Sequence, residues 1–211
     1  MPAAGQPMTE AEWFDAINPA AMLDFLGSKP TDRKFRLFTV ACCRREWHSL
    51  AEECRALVEA AEQFADGQLD ARRLGAIKGK ASRALEKEGA SHSFYDIYCQ
   101  EVARKPASSG AWRFAWIVNN NGPSVEHCDL VRCTFDNPFR PVVFSPAWRT
   151  DTAVAIARGM YEARDFGAMP ILADALQDAG CDNDDVLTHC RDAAQVHVRG
   201  CWVVDLVLQK E

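Results

Sequence analysis

Helix start signals recur along this chain from end to end, whereas the period-two alternation of a half-buried strand does not, and this contrast limits the fold most. Thr9 followed by Glu12 is a capping box: the hydroxyl accepts from a free amide of the first turn while the carboxylate accepts from the cap's own amide. Asn18 before Pro19 opens a second helix that Gly27 should end, since proline at the first helical position loses no hydrogen bond. Thr31 caps a third through about Trp47. Phe35, Phe38 and Cys42 share one of its faces, and Leu37, Val40, Ala41 and Arg44 form an adjoining one, which predicts a central helix. Ser49 with Glu52 repeats the capping box, and Leu50, Cys54, Leu57, Val58, Ala61 and Ala65 follow at helical spacing. Asp70 caps the next, with Leu74, Ile77, Ala81, Ala84 and Leu85 facing inward as far as Gly89.

Shorter helical patterns follow over 93–104, 109–118 and 124–135, and the Asn/Gly/Pro cluster at 119–123 is the natural hinge. From Asn137 to Trp148 three prolines remove donors and push their neighbours out of helical geometry, which predicts an extended crossing packed through Phe139 and Phe144. Thr150 or Asp151 caps a helix to about Arg164, Pro170 opens another that Gly180 ends, and Asp182 or Asn183 caps a short one reaching Cys190. The run CWVVDLVL from Cys201 suits a buried strand or a buried helix. With no strand to pair it, we read a helix. Asp205 inside it then needs a cationic or amide partner, and Arg140 or Arg149 of the proline-rich crossing is positioned to serve. The expected architecture is all-α, about ten packed helices without significant sheet, in an N-terminal half 1–121 and a C-terminal half 122–211.

Composition removes several function classes. The 24 Lys and Arg against 30 Asp and Glu leave a net charge of −6, with no block of like charge to hold nucleic acid or an anionic membrane. Arg72, Lys80, Arg83 and Lys87 do draw a basic stripe along one helix, but no nucleic-acid motif accompanies it and a solvated face is the simpler reading. No apolar run approaches the roughly 20 residues that cross a bilayer, and nothing at the start resembles a targeting signal, so the expectation is a cytoplasmic protein. Nine cysteines in such a chain are expected to be reduced and mostly buried. The six tryptophans sit mainly at inward positions and read as core.

Longer stretches carry a resemblance. The segments NPFRPV (Asn137 to Val142), MPILADALQDAGC (Met169 to Cys181), HCR (His189 to Arg191) and HVRGCWVVDLVL (His197 to Leu208) together resemble an uncharacterised bacterial family. TEAEW, MLDFL and FRLFTVACCRREW resemble that family's opening. The resemblance covers about half of the chain and implies a reusable module rather than a complete dedicated enzyme. It brings no established activity and no catalytic or binding residue.

The densest chemistry-bearing set is C-terminal. Zinc takes thiolate and imidazole ligands in tetrahedral sets, and Cys181, Cys190, His197 and Cys201 would make one. Their spacing matches no standard zinc motif and contains no C-x-x-C pair, so no bound cofactor is expected, with zinc as the alternative. A Cys/His nucleophile is the second candidate: Asp185, one turn before His189, can orient its imidazole, with Cys190 or Cys201 as the thiolate. Neighbours on a helix point about 100° apart, which places His189 poorly for activating Cys190. The simpler reading has Asp182 and Asp185 complementing the helix dipole at one end and His189 at the other. His127, Cys128 and Cys133 form a further half-site, for which core packing is the favoured use.

Packing and capping thus dominate the sequence, and no set of reactive groups is assembled by spacing alone. The reading that follows is a non-enzymatic helical module binding another protein or domain. The alternative is a zinc-stabilised or Cys/His-dependent enzyme using the C-terminal cluster.

Overall fold

A computed structural model of the chain describes residues 8–27, 30–87 and 124–210. Among them are ten α-helices and no strand, so the fold is all-α. The helices are α1 (Glu10–Phe14), α2 (Pro19–Leu26), α3 (Asp32–Arg45), α4 (Glu52–Ala65), α5 (Ala71–Lys87), α6 (Val125–Phe135), α7 (Asp151–Ala163), α8 (Met169–Asp178), α9 (Asp184–Arg191) and α10 (Trp202–Leu208). The helices expected over 93–104 and 109–118 and the hinge at 119–123 lie outside the described residues. No described helix is long and apolar enough to cross a membrane. None of the eight described cysteines is in a disulfide, and all are buried.

Local chemistry explains most of the helix starts. The Thr9 hydroxyl accepts from the Glu12 amide, and the Thr9 amide donates to the Glu12 carboxylate at 2.7 Å. Asn18, Thr31, Asp70, Ser124, Thr150 and Asn183 each accept from an amide of the following turn. The capping box expected at Ser49 and Glu52 does not form. Ser49 is drawn into a 3-10 turn, Trp47–Ser49, and Ala51 precedes α4 without a side-chain cap. Arg55 takes over the carbonyls left there, donating to Trp47 O at 2.9 Å and His48 O at 3.2 Å.

The chain divides into two compact units, Met1–Val131 and Arg132–Glu211, with the division inside α6. In the first, α3 packs on α4 and α4 on α5. Every α3 side chain from Arg36 to Cys43 is buried, as its two apolar faces require of a central helix. Fully buried Glu62 of α4 meets Arg44 of α3 at 2.9 Å, and Arg33 meets Asp66 at 3.3 Å, so two ion pairs tie α3 to the end of α4 and the turn after it.

In the second unit α7 packs against α8 and α10, and α9 packs against α8 and α10. The proline-rich stretch crosses without regular structure until a 3-10 turn, Pro146–Trp148, where Phe144 meets Trp148 edge to face at 5.2 Å. The α8 end is a Schellman turn: Gly180, at φ +84°, donates to Gln177 O, and the Cys181 amide donates to Leu176 O. The C-terminal run is helical, with Trp202, Val203, Val204, Asp205 and Val207 buried. Arg149 does reach α10, but its Nε donates to the Leu206 carbonyl at 3.0 Å rather than to Asp205. Arg140 pairs with Asp185 at 3.4 Å.

Candidate metal centre

Four side chains of the second unit converge on one point. Cys133 comes from the last turn of α6, His189 from α9, His197 from the irregular stretch between α9 and α10, and Cys201 from the cap position of α10. One donor atom from each lies within 4.8 Å of all the others. His189 Nε2 is 3.3 Å from Cys201 Sγ, and His197 Nδ1 is 3.9 Å from the same sulfur. The imidazoles meet edge to face at 4.9 Å, and the Trp202 ring lies tilted against the His189 ring at 5.1 Å. Both cysteines are fully buried and both histidines half-buried.

The distances suit a single small, soft cation. With Zn–S of about 2.3 Å and Zn–N of about 2.0 Å, a tetrahedral site puts sulfur and nitrogen about 3.5 Å apart, between the two separations above. Calcium and magnesium take oxygen donors, so two sulfurs and two imidazoles point to zinc or a similarly soft ion. A two-iron cluster with this donor set would place the cysteines on one iron and the histidines on the other. Here Cys201 touches both histidines, which fits one shared centre. Burial by itself pushes the Cys201 thiol up, but hydrogen bonds from Cys133, His189 and His197, with the charge of His189, outweigh it and hold the group well below the usual thiol range. The site thus favours a thiolate.

Of the residues singled out by sequence, His189, His197 and Cys201 stand in this group, while Cys181 and Cys190 stand outside it. Cys181 follows the Schellman glycine, its amide bonded to Leu176 O and its side chain buried in the core of the second unit. Cys190 is buried, and burial first, then the neighbouring Cys201 and Cys181, pushes its thiol far above the ordinary range. Asp185 does not orient His189: it is engaged by Arg140, and the contacts of His189 are with Cys201, His197 and Trp202. Cys133 was paired on spacing with His127 and Cys128, yet His127 Nδ1 lies 2.6 Å from Ser124 Oγ and Cys128 is core. No local signal ties Cys133 to residues so far downstream; its place in the buried core of the second unit, with Cys201, supplies it. In the first unit, Arg72, Lys80 and Arg83 are exposed along α5, as a solvated basic face would be.

Compared with protein-family models, with curated proteins and with solved structures, the chain matches none of them.

Proposed function

We propose that this protein is a non-enzymatic helical accessory module whose C-terminal unit is held together by one structural zinc ion on Cys133, His189, His197 and Cys201. The observation that carries the reading is the convergence of two sulfurs and two imidazole nitrogens within 4.8 Å. A catalytic zinc keeps one position open for water or substrate, whereas four protein ligands close the sphere, so this donor set supports a structural ion. The fully buried sulfurs argue in the same direction. What such a unit offers is its surface, presented to another protein or domain.

The 3.3 Å approach of His189 to Cys201 also has the form of a nucleophile with its base. Two features favour the metal over that alternative. Cys201 is fully buried, and a second histidine and a second cysteine crowd the same sulfur, where a substrate carbon would have to approach.

The test is metal analysis of untagged protein, with cobalt substitution to report geometry. One zinc per chain is expected, and cobalt should give the intense visible bands of a tetrahedral thiolate site. Cys133→Ser and His197→Gln should lose the ion, while Cys181→Ser and Cys190→Ser keep it. A metal-free protein that takes up no cobalt would overturn the reading, as would rapid alkylation of Cys201 in the native protein.

A further inference from the structure

Among the described residues the site contains two sulfurs, and they belong to one group of donor atoms no more than 4.8 Å across. A disulfide needs its sulfurs about 2.05 Å apart, so closing the pair requires a shift of less than about 3 Å shared between two side chains and their backbones. The backbone on one side is suited to that shift. Cys201 follows Gly200, which holds φ +91°, and the stretch between α9 and α10 has no regular helix. Residues 192–199 in that stretch are exposed or half-buried, in contrast to the packed helices on either side. The imidazoles of His189 and His197 are half-buried, so the donor group borders solvent on their side although both sulfurs are fully buried.

Resting on the zinc reading above, we infer that the site is a peroxide-responsive zinc-release centre, in which Cys133 and Cys201 join as a disulfide and expel the ion. In the first step one zinc-bound thiolate attacks a peroxide oxygen, its Zn–S bond and the O–O bond break, and a sulfenic acid and hydroxide form. In the second the other thiolate attacks the sulfenic sulfur, its Zn–S bond breaks, the S–S bond forms and a second hydroxide leaves. Two protons from solvent convert both hydroxides to water. The two sulfurs have together lost two electrons to one hydrogen peroxide, and the zinc ion departs with its charge unchanged.

The number of sulfurs makes the response all-or-none. A site with four thiolates would keep two after one disulfide forms. This one keeps only two half-buried imidazoles, which are half of a tetrahedral set and include neither thiolate. Cys181 and Cys190 are placed for packing and are not needed in the step.

The experiment uses the full-length, zinc-loaded protein with a zinc-binding dye in solution. Hydrogen peroxide should speed zinc release at least tenfold over the untreated rate, to one ion per chain, with the loss of two titratable thiols. Peptide mapping should find Cys133 joined to Cys201, thiol reductant with added zinc should restore the loaded form, and Cys190→Ser should release zinc as the wild type does. Full zinc loading with no acceleration by peroxide would overturn this inference and leave the structural-zinc reading standing, as would release accompanied by a disulfide through Cys181 or Cys190. A protein that never takes up zinc would overturn both.

Discussion

Val203 and Val143 offer the same substitution in the same unit with opposite expected outcomes. Val203 is fully buried on α10, whereas Val143 in the proline-rich crossing is 89% exposed. Val203→Ala deletes two carbons, a loss of about 1.6 kcal/mol at about 0.8 kcal/mol per buried methyl or methylene. If the neighbours do not close in, a void of about 50 Å³ adds about 1 kcal/mol at about 24 cal/mol per Å³. Alanine's better helix propensity offsets about 0.5 kcal/mol. The net expectation is a destabilisation of about 2 kcal/mol, a large share of a total stability of about 5–15 kcal/mol. Val143→Ala should stay within about 0.5 kcal/mol of the wild type. Urea unfolding of the full-length chain at a fixed zinc concentration, followed by circular dichroism, reads both. The midpoint should fall for Val203→Ala with the slope unchanged, so that the shift reports stability rather than a change in exposed surface. Equal effects of the two substitutions, or a Val203→Ala shift inside 0.5 kcal/mol, would refute the claim that α10 is core.

Three further outcomes follow from the packing and the charges. Stripping zinc with a chelator should lower the melting temperature of the loaded wild type, since an ion present at about 100 times its dissociation constant adds about 2.7 kcal/mol, and added zinc should leave the Cys133→Ser melt unchanged. Glu62→Ala removes the buried partner of Arg44, and because the Arg44 side chain keeps 25% exposure and can rehydrate, the loss should sit near the lower end for broken buried pairs, about 3 kcal/mol, against under about 0.5 for exposed Glu59→Ala in the same urea assay. Burial, then the charge of Arg45, holds His127 below its ordinary pKa against the opposing pull of Glu126 and Glu46. The unfolded chain therefore takes up a proton near its ordinary value of about 6.5 that the folded chain refuses, and stability contributed by this residue is lost as the pH falls through that value. His127→Gln should lose that part of the stability difference between about pH 7.5 and pH 5.5, measured by urea midpoints; an unchanged pH profile would show that His127 is not the group responsible.

Helix starts were legible in the sequence because a cap and the amide it satisfies lie within three residues of each other, so nothing distant is needed to form them. Thr9, Asn18, Thr31, Asp70, Thr150 and Asn183 all act where their spacing places them. The exception has a local competitor: Ser49 is held in a 3-10 turn, its amide donating a hydrogen bond to Glu46 O, and Arg55 satisfies the neighbouring carbonyls. The helical state of the C-terminal run followed from the lack of any strand to pair with, and its burial from the shortage of polar groups at Val203, Val204 and Val207.

The candidate site is a different kind of object. Sequence spacing offered Cys181 and Cys190 alongside His197 and Cys201, and a buried cysteine that packs looks the same in one dimension as one that ligates. Only the core of the second unit brings Cys133 to Cys201, and only the Schellman turn after α8 commits Cys181 to the core. The same holds for Asp185, whose one-turn spacing from His189 allowed a contact that Arg140 from the proline-rich crossing forestalls. Caps are fixed by bonds within one turn, whereas a ligand set depends on which helix ends meet, and that is decided by the summed burial of side chains across the whole unit.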